Sequence, residues 1–209
     1  EQLLATLKTS SKLFADETTA PVLDPGRGRT KIGQLWAYAR DDRPWHGSDP
    51  PGVVYVYAPD RKAERPITHL AGFKGILQVD GYGGYRALAE RGDVQLAFCW
   101  AHVRRRFYEL AVAGAAPIAS EALKRIAELY TVEAECRGRH ADERRALRQE
   151  KSRPNLDALE PWLQNKLSLI SQKTTLAEAI RYALSHWEGL TRFLDDGRIE
   201  IDSNVVERS

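Results

Sequence analysis

An α/β fold is predicted by three observations. Residues alternate between two faces over 12–22 and 34–40, the run Ile76-Leu77-Gln78-Val79 is nearly all apolar, and from Ala101 to about Leu194 apolar residues recur at helical spacing. The first two predict a mixed sheet built in the order β-β-β-α-β-α-β. The third predicts helices, most of them in an all-helical insertion ahead of a final helix that carries Glu207.

Each element has its own reason. The first strand, residues 12–22, places Phe14, Asp16 and Thr18 on one face and Leu13, Ala15 and Glu17 on the other. Asp24-Pro25-Gly26 then turns the chain, with Arg27, Arg29 and Lys31 expected on the loop that follows. In the second strand, residues 34–40, Trp36 and Tyr38 stand opposite Leu35, Ala37 and Ala39. The third, Val53-Val54-Tyr55-Val56-Tyr57, is β-branched and aromatic and is bounded by Pro50-Pro51-Gly52 and Pro59. A short helix is expected from Pro66 through Leu70. The next strand, residues 75–80, suits a central position covered on both faces, which leaves Asp80 at a strand end where a sheet opens to a cleft. Gly81-Tyr82-Gly83-Gly84-Tyr85 leads into a helix near 86–91, and residues 94–100 form the fifth strand.

Beyond that strand, Val103, Phe107, Leu110 and Ala111 share one buried helical face, with Arg104, Arg105 and Arg106 mostly off it. Further helices are expected at 120–136, 161–171 and 176–187, the last capped by Thr174 or Thr175. Asp202 or Ser203 caps the final helix. The expected organisation is a core over 1–116, a helical insertion over 117–194, and a return to the core over 195–209.

Composition excludes several classes. A chain of 209 residues that is 43% hydrophobic buries a sizeable core and is not a disordered protein. It has no run approaching the roughly 20 apolar residues of a membrane span, and Glu1-Gln2-Leu3-Leu4 is not a charged leader, so a cytoplasmic protein is expected. Two cysteines argue against a disulfide framework. The lack of any Met predicts that the chain is a piece of something longer. Net charge is only +2, but residues 137–153 hold an excess of basic side chains, either a solvated helix face or a phosphate-tracking surface.

Three acidic residues in three settings carry the candidate chemistry. Carboxylates gathered from separate elements hold hard divalent ions such as Mg²⁺ while leaving waters and phosphate oxygens to complete the coordination. Two such ions, about 3.5 to 4 Å apart, serve an in-line phosphoryl displacement. Asp16 is a solvated edge residue or a ligand, and a charge inside a strand is disfavoured without a use. Asp80 starts a turn before Gly81 or is a ligand. Glu207 is an exposed first-turn Glu favoured by the helix dipole or is the third ligand. The predicted order, with acids in strand one and at the end of strand four, is the ribonuclease H-like plan.

The motifs Phe14-Ala15-Asp16-Glu17-Thr18, Val22-Leu23-Asp24-Pro25-Gly26-Arg27-Gly28, Leu35-Trp36-Ala37-Tyr38, Leu77-Gln78-Val79-Asp80-Gly81-Tyr82, Phe98-Cys99-Trp100-Ala101-His102-Val103-Arg104-Arg105 and Asp202-Ser203-Asn204-Val205-Val206-Glu207-Arg208 resemble, in order, the transposases of bacterial insertion sequence 66 elements. This resemblance spans essentially the whole chain. It implies a DDE transposase core in which Asp16, Asp80 and Glu207 hold Mg²⁺ or Mn²⁺, two ions in all. Such an enzyme hydrolyses one DNA strand at the element end and drives the freed 3′-hydroxyl into target DNA, acting as a homodimer on two ends. The interval from Asp80 to Glu207 is too long for one strand and one helix, which is why 117–194 reads as an insertion.

Neighbouring residues carry subsidiary expectations. Asn204 shares a helix face with Glu207 and either holds a metal-bound water or caps the helix, while Arg208 points elsewhere, toward DNA. Arg104, Arg105 and Arg106 are a DNA contact or a solvated face, and His102 packs beside the site or touches DNA. Tyr82 and Tyr85 stack on an unpaired base or, the better reading, pack over the sheet end. Cys99-x-x-His102 with Cys136-x-x-x-His140 offers a zinc ligand set, but the spacing is not that of a finger and Cys99 belongs in a buried strand.

Overall fold

The computed structural model describes residues 2–203. Two compact units divide them, the first made of 2–42, 48–96 and Ser203, the second of 43–47 and 97–202. Among the described residues no helix is long and apolar enough to cross a membrane.

In the first unit a short helix, α1 (Gln2–Leu7), precedes strands β1 (Lys12–Asp24), β2 (Arg29–Arg40) and β3 (Gly52–Ala58). Helix α2 (Glu64–His69), β4 (Gly75–Val79), a 3-10 turn at Gly83–Tyr85, α3 (Arg86–Ala89) and β5 (Val94–Phe98) follow, the last two residues of β5 being counted with the second unit. The five strands form one mixed sheet in the order β3-β2-β1-β4-β5, in which β1 runs antiparallel to β2 and parallel to β4. The predicted β-β-β-α-β-α-β succession is therefore observed, with α1 added in front. Leu7, fully buried, is the reason α1 exists: it packs the helix against β2 and β3.

The first two strands are longer than expected. Pairing continues out to Asp24↔Arg29, so Arg29 and Lys31 belong to β2 and the connection shrinks to residues 25–28. Register divides the side chains between two faces as the alternation requires. Phe14↔Ala39 and Asp16↔Ala37 lie on one face, where Phe14, Ala37 and Ala39 form an apolar cluster with Val53. Ala15↔Tyr38 and Glu17↔Trp36 lie on the other, where Trp36, Tyr38 and Tyr85 are fully buried. In β4 the last four residues are all buried, Gln78 included, as a strand covered on both sides must be.

The second unit is helical: α4 (Trp100–Ala113), α5 (Pro117–Cys136), α6 (Ala141–Leu169), α7 (Thr175–Ser185) and α8 (Trp187–Thr191). Val103 and Phe107 of α4 are buried as predicted, and Thr174 caps α7 by accepting from the Ala177 amide at 3.1 Å. Helix α6 corrects the expected short helix at 161–171. It is 29 residues long and runs through Pro154 and Pro161. Both prolines are exposed and lie two turns apart, so the carbonyls they leave unbonded face water. Its buried stripe reads Arg144, Arg148, Ser152, Leu156, Leu159, Leu163, polar in its first half.

That stripe also corrects in part the reading of 137–153 as a solvated or phosphate-tracking surface: Arg137, Arg139, Arg145 and Lys151 are exposed, but Arg144 and Arg148 are buried. Arg148 is fully buried and gives Nε and Nη2 to the two oxygens of Glu133 at 2.7 Å each, and Nη1 to the Phe193 carbonyl at 3.0 Å. Arg144 donates to Glu200 at 2.7 Å, Lys151 pairs with Glu135, and Arg153 with Asp195. These charges hold α5, α6 and the 193–200 segment together.

Candidate active site

Parallel pairing of β1 with β4 runs toward two of the three predicted carboxylate residues, Asp16 in β1 and Asp80 directly after β4. The β1–β4 register runs Lys12↔Ile76, Leu13↔Leu77, Phe14↔Gln78. Carried two residues past its last pair, this register puts Asp16 and Asp80 at one level along the two chains. Each carboxylate is oriented by backbone. Asp16 Oδ1 accepts from the Glu17 amide at 2.9 Å, and Asp80 Oδ1 accepts from the Tyr82 amide at 2.8 Å, an Asx turn. Gly81, at φ 102°, lets the chain turn directly after Asp80.

Beside this pair lies a residue that the sequence reading passed over. The Glu17 side chain, 1% exposed, points to the face opposite Asp16. Its Oε1 accepts from Arg61 Nε at 2.7 Å and from Arg61 Nη2, and its Oε2 accepts from the Tyr85 hydroxyl at 2.9 Å. Burial raises the Glu17 pKa, the Arg61 hydrogen bond opposes this, and the negative field of Asp80 adds to the rise. Burial also pushes the Tyr85 phenol well up, with Glu17 next in effect, so that the hydroxyl stays a donor.

Arg61, half-exposed on the segment between β3 and α2, stacks over the Tyr82 ring at 4.0 Å, and the Tyr82 hydroxyl donates to the Arg61 carbonyl. Trp36 meets Tyr85 edge-on at 6.0 Å and Tyr82 at 6.3 Å. Tyr82 and Tyr85 thus pack at the sheet end, the second of the two roles expected for them. A side chain at Gly84 would collide with the Tyr82 ring.

The other predicted site residues are distributed elsewhere. Glu207, Asn204 and Arg208 lie outside the described residues. His102, Arg104 and Arg105 belong to α4 in the helical unit. Arg104, Arg105 and Arg106 are exposed; Arg104 lies 6.0 Å from the Tyr108 ring and Arg106 4.0 Å from the Tyr182 ring. His140 caps α6 in a capping box with Glu143 and stacks on His46 at 4.6 Å. Among the described residues no three His, Cys, Asp or Glu side chains gather as a metal ligand set.

A mixed five-stranded sheet followed by a set of helices defines a mixed α/β protein. The chain belongs to the transposase IS66 family, whose model matches residues 1–209. It is similar to three proteins of Sinorhizobium fredii. Uncharacterized protein y4qI is 49% identical over 216 residues, covering 100% of this chain and 40% of that protein. Uncharacterized protein y4jD is 47% identical, covering 100% and 42%, and uncharacterized protein y4hP is 39% identical, covering 96% and 39%. The chain therefore spans about two fifths of the length of these relatives. No solved structure matches it.

Proposed function

We propose that this chain is the catalytic core of a DDE transposase, a ribonuclease H-like enzyme that cuts a DNA strand at the element end and joins the freed 3′-hydroxyl to target DNA. The observation that supports this most is the parallel β1–β4 register, which, carried two residues past its last pair, puts Asp16 and Asp80 at one level, in a chain of the transposase IS66 family. Strand order β3-β2-β1-β4-β5, with only the β1–β2 and β2–β3 pairs antiparallel among those with a defined register, fits the ribonuclease H-like plan. In this reading Glu207 supplies the third carboxylate, and 117–194 is an insertion between β5 and the segment that carries it.

The donor set suits Mg²⁺ or Mn²⁺. Asp16 and Asp80 offer hard carboxylate oxygens from neighbouring strands, each already steered by a backbone amide, as ligands of such ions need to be. When bound, a pair of these ions activates the attacking oxygen and stabilises the leaving one. The protein's own part is positioning: Asp16 and Asp80 sit just past the last β1–β4 pair, and Trp36, Tyr82 and Tyr85 pack together beside Asp80. Arg104, Arg105, His102, Asn204 and Arg208 contact DNA, and such backbone contacts position a strand without reading its sequence. The partners are transposon ends and target DNA, and joining two ends calls for a homodimer.

The test is Asp80→Asn in the full protein, assayed for Mg²⁺-dependent nicking and, with precleaved ends, for joined product. Loss of both with the fold retained supports the reading. Retained nicking removes Asp80 from the ligand set, and nicking by the unmutated protein without any joined product marks a resolvase instead.

A further inference from the structure

We infer that Arg61 and Glu17 are positioning residues for the Asp16–Asp80 pair, closing a clasp of side chains that sets the separation of the two carboxylates and hence their affinity for a divalent cation. The inference rests on the reading of Asp16 and Asp80 as ligands. It goes further by assigning a role to two residues outside the proposed ligand set.

The clasp can be traced atom by atom. Asp16 Oδ1 is held by the Glu17 amide, Glu17 Oε1 by the Arg61 guanidinium, the Arg61 carbonyl accepts from the Tyr82 hydroxyl, and the Tyr82 amide holds Asp80 Oδ1. Tyr85 closes a second connection by donating to Glu17 Oε2. Three separate segments meet here: β1, the stretch before α2, and the turn after β4. Backbone pairing between β1 and β4 ends at Phe14↔Gln78, two residues short of the aspartates. Beyond that point these side chains link the strand ends.

Glu17 is itself unsuited to be a ligand. Both of its oxygens are engaged, and it faces away from Asp16. An ion pair with one partner half in water adds little net stability, so its use at this position points to geometry rather than to strength. Gly84 fits the same account, since its missing side chain is the space that the Tyr82 ring occupies under Arg61.

The experiment measures Mn²⁺ affinity by electron paramagnetic resonance on the full protein, with circular dichroism to establish folding. The variants are Asp80→Asn, Arg61→Met, Arg61→Lys and Tyr85→Phe. Asp80→Asn is expected to abolish site binding. Arg61→Met is expected to weaken it by about tenfold or more, the usual consequence of removing a group that orients a ligand. Arg61→Lys, which keeps the charge on Glu17, recovers part of the loss. If Arg61→Met does not fold, Tyr85→Phe, which removes one hydroxyl, decides the matter by the same loss of affinity. Folded Arg61→Met or Tyr85→Phe with unchanged Mn²⁺ affinity, while Asp80→Asn still loses it, overturns the clasp alone. Unchanged affinity in Asp80→Asn overturns the underlying ligand assignment instead.

Discussion

Arg148 and Glu133 form a two-pronged ion pair inside the helical unit, both nitrogens and both oxygens engaged at 2.7 Å and the arginine wholly out of water. Such a pair contributes little net stability, because desolvating two charges offsets their attraction, but breaking it strands the survivor. Glu133→Gln is therefore expected to destabilise the protein by about 3 to 5 kcal/mol in chemical denaturation. The double variant Glu133→Leu with Arg148→Met is expected to recover most of that. A double variant as unstable as the single one would contradict this view.

The same pair shows why part of the fold was hidden in the sequence. Strands β1, β2 and β4 are legible because their buried positions are apolar and alternate or run together. In α6 the buried positions 144, 148 and 152 are Arg, Arg and Ser, so hydrophobic periodicity is silent until Leu156. Pro154 and Pro161 then suggest boundaries that the exposed face does not need. The placement of Asp16 within β1 and of Asp80 directly after β4 was readable from the strand pattern. Glu17 and Arg61 were not, since the guanidinium arrives from a segment 44 positions along the chain and nothing local announces the meeting.

A second prediction concerns pH. The Tyr38 hydroxyl and His69 Nδ1 lie 2.9 Å apart, and burial, then the charge of Arg65, holds the His69 pKa below its usual 6.5. A depressed histidine contributes stability that is present above the unfolded value and is lost as pH falls through the folded one. Denaturation midpoints at pH 7.5 and 5 should thus fall further in the unmutated protein than in His69→Gln. Equal falls would show that His69 is not the group responsible.

Gly84→Ala tests the packing at the sheet end. The added methyl meets the Tyr82 ring, which must move out from under Arg61. Forced repacking of this kind costs about 1 to 3 kcal/mol. A lowered melting temperature with a weaker near-ultraviolet tyrosine signal is expected; an unchanged protein would mean that Tyr82 is not held there.

Crystals of the full protein soaked in Mn²⁺ and measured at the manganese absorption edge test the central claim most directly. Anomalous density between the Asp16 and Asp80 carboxylates, lost in Asp80→Asn, is the predicted result. Manganese bound only elsewhere, with those two side chains uncoordinated, would contradict it.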